Sequence, residues 1–259
     1  MHHTLDFWHA LAASAAAFLA GAINSIAGGG TLVSFPTLIW LGLGSVTANA
    51  TSTVAIWPGT VGSIWGYRRE MASTPRRMYL LTIPSLVGGL AGALLLSWTR
   101  PAVFDRLVPF LILFATLLFM AQEPVQRRLN SAKAAAHQSD KWLAAAMLFQ
   151  LLVGIYGGYF GAGIGILMLA ALSIIGLTDI HQMNGLKTLC GMTINGIAAI
   201  YFMVAGMVYW PYVLLMAVAA IAGGYGGAGT ARKLGRKVVR ATVIGIGFIM
   251  AILLFFKLT

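Results

Sequence analysis

The chain alternates between long apolar runs and a few short polar loops. No Asp, Glu, Lys or Arg occurs from Phe7 to Tyr67, from Met78 to Thr99, from Trp142 to Thr178 or from Thr188 to Ala231. A helix needs about 20 mostly apolar residues to cross a bilayer, so the longer runs hold more than one element. Divided at their glycines, prolines and polar residues, they predict five pieces in each half of the chain. The first half gives 8–27, 31–43, 47–67, 78–98 and 105–122, and the second gives 142–160, 164–176, 182–204, 210–229 and 241–258. The second piece of each half would extend only about 20 Å as a helix, short of a hydrocarbon core of about 30 Å. The first two pieces of each half therefore predict a hairpin or re-entrant pair, and the other three predict full crossings.

Composition agrees with this reading. Hydrophobic residues make up 59% of the chain and charged residues 9%, against about 25% charged in soluble domains. Open sheet edges are excluded from lipid, so the expected class is an all-α polytopic membrane protein. The N-terminus has no basic region followed by a short apolar core and cleavage site, so its first apolar run is expected to be a permanent element. The net charge of +11 arises from 17 Lys and Arg gathered in the polar loops. That distribution follows the positive-inside rule, and nucleic acid is not an expected partner. The lone cysteine, Cys190, cannot form an intramolecular disulfide or a cysteine metal cluster, and no cofactor is expected.

The halves resemble one another. A shift of 135 sets Gly88, Gly89, Gly92 and Ala93 against Gly223, Gly224, Gly227 and Ala228, and pairs Asn49 with Asn184 and Thr53 with Thr188. Upstream, a shift of 133 sets Gly21, Gly28 and Gly30 against Gly154, Gly161 and Gly163. The expected organisation is a repeat at 1–122, a cytoplasmic linker at 123–140 and a second repeat at 141–259. An odd number of net crossings per half inverts the second repeat. Loop charges agree with inversion. Arg68, Arg69, Arg76 and Arg77 face a counterpart at 205–210 with no charge, and Arg232, Lys233, Arg236, Lys237 and Arg240 face a weakly charged counterpart near 99–106. Inverted repeats place a substrate site where helices are interrupted at the repeat interface.

The interruptions are IAGGGT at 26–31, with Pro36 beyond it, and YGGYFGAGIG at 156–165. A break in lipid strands backbone groups at several kcal/mol each unless protein or a water-filled cavity satisfies them. Two matched breaks predict one shared cavity. Helices restarting near Thr31 and Gly165 would turn partial positive charge toward it, which favours an anion. The GxxxG-like spacings at Gly88 and Gly92, and at Gly223 and Gly227, read instead as close helix packing. Candidate site residues at and beside the breaks are Asn24, Gly28, Gly29, Gly30, Thr31, Tyr156, Gly157, Gly161 and Gly163. Those on the third pieces are Asn49, Thr51, Ser52, Asn184, Lys187 and Thr188, with Thr53, Thr193 and Asn195 as further polar groups. Lys187 is the cation deepest in an apolar segment, and a surface-directed side chain is its alternative reading. No carboxylate lies well inside a span, which disfavours a carboxylate proton relay.

The stretches GAINSIAGGGTLVSFPTLIWLGLGSVTANATST and GIYGGYFGAGIGILMLAALSIIGLTDIHQMNGLKT resemble the TauE/SafE family, also called the 4-toluene sulfonate uptake permease family, over essentially the whole chain. That resemblance implies a bacterial inner-membrane transporter of sulfite, sulfoacetate or a related sulfur-containing anion, and no enzymatic activity. It also implies that Asn24, Gly28, Gly29, Gly30, Pro36, Thr51, Gly157, Gly161, Gly163, Asn184 and Thr188 lie in the family's motifs. The second copy reads GAGIG, so Ile164 narrows what can approach its break. Export is the expected direction, because an anion leaving a negative cytoplasm gains about 2.3 kcal/mol per charge per 100 mV. An anion channel, or a permease taking up another organic anion, is the alternative reading. A small sulfur-containing anion and the lipid bilayer are the expected partners, with a homodimer left open.

Overall fold

The structure is a computed structural model that describes residues 6–26, 29–60, 64, 72, 74–131, 140–174, 177, 180–234 and 236–258. Ten α-helices are described: α1 (Phe7–Ile26), α2 (Thr31–Trp40), α3 (Ser45–Ile56), α4 (Thr82–Trp98), α5 (Pro101–Ser131), α6 (Asp140–Tyr159), α7 (Ile164–Ile174), α8 (Ile180–Val204), α9 (Trp210–Leu234) and α10 (Arg236–Leu258). A 3-10 turn, Arg76–Leu81, leads into α4. No strand occurs among the described residues. Five stretches are long and apolar enough to cross a bilayer, namely Phe7–Asn24, Arg76–Trp98, Pro101–Ala121, Trp142–Tyr159 and Gln182–Val204. The protein is an all-α, multi-pass membrane protein.

The two short helices lie where the short apolar pieces predict them. With 10 residues in α2 and 11 in α7, each rises only about 15 Å. Three boundaries differ from expectation, the first being that of α3, which ends at Ile56 with a turn at Trp57 where one piece at 47–67 is expected. Helix α5 runs through residue 122 to Ser131, and the connection between α9 and α10 is helical to Leu234 and again from Arg236. Charged residues propagate a helix as readily as apolar ones, so helices leave the hydrocarbon without ending.

Side-chain periodicity separates a protein face from a lipid face. On α9, Leu214, Val218, Ile221 and Tyr225 are exposed, whereas Val213, Met216 and Ala220 are buried. Outward-facing apolar side chains on such a bundle are solvated by acyl chains. The interior joins residues of both halves, with Phe35, Leu38, Ala50 and Phe104 in one cluster with Phe160, Ala198, Phe202 and Tyr212.

The most extensive packing is between α1 and α9 and between α4 and α6. Glycines allow it. A Cβ at Gly88 would overlap the Leu151 carbonyl and lie 2.9 Å from Gly154, and one at Gly92 would overlap the Ile155 carbonyl and lie 2.7 Å from the Tyr159 nitrogen. Contacts advance together along both helices, so α4 and α6 run parallel. The α1/α9 seam repeats the arrangement, with Gly223 against the Phe18 carbonyl and Gly21 against Ala220 and Gly224. The shifts of 135 and 133 carry Gly88 to Gly223, Leu151 to Phe18 and Gly154 to Gly21. Close packing is therefore the role of Gly88, Gly92 and Gly223.

Candidate functional site

Helix α1 ends at Ile26 and α2 starts at Thr31. Gly30 has right-handed helical torsions, φ −59° and ψ −29°, so its conformation does not demand glycine. Space does, because a Cβ there would overlap the Ala20 carbonyl. Its N–H donates to the Asn24 side-chain Oδ1 at 2.8 Å. The Leu32 and Val33 N–H groups donate to the Gly29 and Gly30 carbonyls, both at 3.0 Å. These bonds limit the free N–H groups that α2 can turn toward the cavity. Asn24 and a tight first turn satisfy most of them, and the Asn24 amide Nδ2 is left as the donor at that position.

The break between α6 and α7 is built differently. Gly161 and Gly163 have φ of +80° and +77°, a region that residues with a Cβ enter at a cost of about 1–2 kcal/mol. The Phe160 and Gly161 N–H groups both donate to the Tyr156 carbonyl, and the Tyr156 hydroxyl donates to the Ala162 carbonyl at 2.7 Å. Tyr156 thus spans the break, with its ring edge-on to Phe114 at 5.5 Å. Asn49 of α3 secures the same break from the other half by donating Nδ2 to the Tyr159 carbonyl at 3.0 Å. Its Oδ1 is buried and has no partner among the described residues.

The two breaks meet at a cavity of about 70 Å³. Asn24, Gly29 and Thr31 line it from the first break, and Gly161, Ile164 and Gly165 from the second. One face of α8 supplies Lys187, Thr188, Gly191, Met192 and Asn195, while Ile56, Thr60 and Met168 complete it. Lys187 is the one cation among these described lining residues, and none is a carboxylate. Among the described residues, no acceptor is recorded for the N–H groups of Ile164 and Gly165 at the start of α7. Cation, helix start and amides give the cavity an anion-favouring surface.

Of the residues singled out from sequence, Asn24, Gly29, Thr31, Gly161, Lys187, Thr188 and Asn195 come together here. Gly28, Arg68 and Arg69 lie outside the described residues. Gly30 supports the cavity through Asn24. Asn49, Thr51, Ser52, Tyr156, Gly157, Gly163 and Asn184 do not line it. Ser52 Oγ is instead 2.6 Å from Ser34 Oγ, and Thr51 Oγ1 accepts the Tyr209 N–H at 2.9 Å. Gly157 gives space to Ile194, whose Cγ2 would be 2.7 Å from a Cβ there. The Asn184 carbonyl accepts the Thr188 hydroxyl at 2.8 Å.

That last bond belongs to a pattern. The hydroxyls of Thr53, Thr188 and Thr193 all donate to the carbonyl four residues back, and that of Thr60 donates to Trp57. Ser and Thr inside helices commonly do this, so a polar run on a helix overstates the donors it offers a ligand. Thr60 is the polar lining residue that the sequence did not single out, and Asn195, one of the further polar groups, joins Lys187 and Thr188 on the cavity face of α8. The spacing 187, 188, 191, 195 on one helical face is the signal that joins Asn195 to Lys187.

Residues 13–254 match the sequence family described as Sulfite exporter TauE/SafE. The chain belongs to the TauE/SafE family. A "Probable membrane transporter protein" of Haemophilus influenzae is 27% identical over 238 residues, covering 90% of this chain and 89% of the relative. The "Probable membrane transporter protein YfcA" of Escherichia coli K12 is 27% identical over 242 residues, covering 91% and 85%. A Sinorhizobium relative, "Probable membrane transporter protein ORF9", is 26% identical over 239 residues, covering 92% and 88%. No solved structure is significantly similar. TauE/SafE membership and these relatives make the chain a membrane transporter family member, multi-pass in the inner membrane.

Proposed function

We propose that this TauE/SafE protein is a carrier, not an enzyme, that moves small sulfur-containing anions such as sulfite across the inner membrane, in the export direction. The anion binds in the cavity where the two breaks meet and is exposed to each side in turn. The observation that carries this reading is the convergence of two helix interruptions, over 130 residues apart in sequence, on one cavity holding a cation and no carboxylate among its described lining residues. Asn24, Thr31, Lys187 and Asn195 are the proposed anion contacts. Gly29, Gly161 and Thr188 shape the wall around them.

Inverted repeats at 1–122 and 141–259, joined by a cytoplasmic linker at 123–140, are part of the same proposal. The seams support it, because exchanging each helix for its counterpart turns the α4/α6 contact into the α1/α9 contact. Cavity residues also fall into counterpart pairs: Thr31 with Ile164, Ile56 with Gly191, and Thr60 with Asn195. A site on the axis relating the halves is reachable from either side by rocking one half against the other.

Flux of radiolabelled sulfite into proteoliposomes, with a membrane potential of either sign, tests the reading. Saturable flux that follows the potential and accelerates with sulfite on the opposite side is expected of the carrier. Flux that rises linearly with concentration and ignores opposite-side sulfite would favour a channel, and no flux would remove the sulfur-anion reading.

A further inference from the structure

Equivalent polar faces of the two halves differ in exposure. The shift of 135 pairs Asn49, Ser52 and Thr53 of α3 with Asn184, Lys187 and Thr188 of α8. The α3 residues are buried, Asn49 and Ser52 completely. All three α8 residues are half-buried, and Lys187 and Thr188 line the cavity. The two faces also lie toward opposite ends of the bundle. Asn49 meets Tyr159 at the end of α6, and the Tyr159 hydroxyl reaches Thr99 just past the end of α4. Met183 and Leu186 of α8 instead cluster with Leu81 and Leu143, where α4 and α6 start.

Contacts between the halves close the Thr99 end. Asn49 Nδ2 donates to the Tyr159 carbonyl at 3.0 Å, the Phe35 and Phe160 rings meet edge to face at 5.3 Å, and Ser97 Oγ lies 2.8 Å from the Tyr201 hydroxyl. Tyr159 is the last residue of α6, so its carbonyl is one that a helix end leaves without an intrahelical partner. The shift of 133 pairs it with Ile26, the last residue of α1. The counterpart of the Asn49 bond is therefore a bond from Asn184 to the Ile26 carbonyl. Asn24 and Lys187, close in sequence to those two residues, line the same cavity. Among the described residues, however, the Asn184 side chain has no hydrogen bond. Inverted repeats that rock against each other exchange the arrangements of their halves, and one stage of such a cycle leaves one bond made and its counterpart open. The made bond is poised for release. The buried Oδ1 of Asn49 has no partner among the described residues, which offsets part of what the donated bond contributes.

We infer that Asn49 and Asn184 are alternating latches of the transport cycle. Asn49 on the Tyr159 carbonyl holds the Thr99 end closed, and Asn184 on the Ile26 carbonyl holds the Arg76 end closed once Asn49 lets go. Release of Asn49 opens Ser52 and Thr53 to the Thr99 side, in the role that Lys187 and Thr188 have in the present cavity. Both asparagines are positioning residues, bonded to helix ends and not to the anion. This inference rests on the carrier reading above and assigns the residues that set which side has access.

The test reads access separately from transport. In the full-length protein with Cys190→Ala, Ser52→Cys supplies the sole thiol, and a membrane-impermeant maleimide is added to either side of proteoliposomes of uniform orientation. Labelling is expected from the Thr99 side alone. Asn49→Ala should speed it about tenfold and Asn184→Ala should slow it about tenfold, the scale of one buried hydrogen bond acting on a two-state equilibrium. If Asn49→Ala does not fold, Asn184→Ala at its half-buried position still carries the test. Labelling from the Arg76 side, or a rate that the folded variants leave unchanged or shift in the same direction, would overturn the latches. Sulfite flux in the same vesicles keeps the two readings apart. Flux with an unmoved labelling rate would remove the latches alone, whereas opposite shifts without flux would uphold the latches and overturn the sulfite reading.

Discussion

Gly30 and Gly163 are counterparts under the shift of 133, and each is the last glycine before a short helix. Both positions require glycine, for different reasons. Gly30 has ordinary helical torsions and no room for a Cβ beside the Ala20 carbonyl. Gly163 has φ +77°, and a Cβ there would be 3.4 Å from its nearest neighbour, the Ala115 carbonyl. One break is closed by crowding and an asparagine cap, the other by left-handed glycines and a tyrosine hydroxyl. Similar strings of glycine can thus hide dissimilar physics. The first break leaves a side-chain amide facing the cavity, while the second presents the start of a helix.

The largest expected effect separates these two reasons. Gly30→Ala forces backbone apart and should cost about 3 kcal/mol, the upper end for overpacking. Gly163→Ala should cost about 1–2 kcal/mol, the torsional penalty alone. Thermal denaturation in detergent reads both, and equal losses would break the distinction. A smaller effect sharpens the contrast on α8, where two adjacent residues line the cavity. Lys187→Gln should raise the half-saturating sulfite concentration about tenfold, equivalent to about 1.4 kcal/mol of lost attraction. Thr188→Val should leave it within about twofold, because the hydroxyl proton is already held by the Asn184 carbonyl. Equal effects from the two variants would show that the helix face, not the charge, governs binding.

Much of this fold is legible in the sequence because lipid constrains it strongly. Long charge-free runs must be helical, and the short second pieces emerge as α2 and α7 close to their expected limits. The end of α5 was hidden because the helix continues through Pro124 and the charged residues beyond it to Ser131, where proline suggests a stop. The breaks were readable from their glycines, and so was Lys187 from its isolation. The apparent donors on α3 and α8 were misleading, since intrahelical bonding of threonine hydroxyls leaves no trace in residue type. Asn24 shows the reverse case. Its role depends on a bond to an N–H six residues away across the break, a contact that periodicity does not encode.

The most direct test of the central claim, that the cavity between the breaks is the anion site, is sulfite flux by Asn24→Asp at matched incorporation. The aspartate keeps an oxygen to accept the Gly30 N–H and replaces the amide donor with negative charge. The account predicts a folded protein whose flux falls about hundredfold, the scale of like-charge opposition at a binding surface. A folded variant with wild-type flux would contradict it and move the anion site away from the breaks.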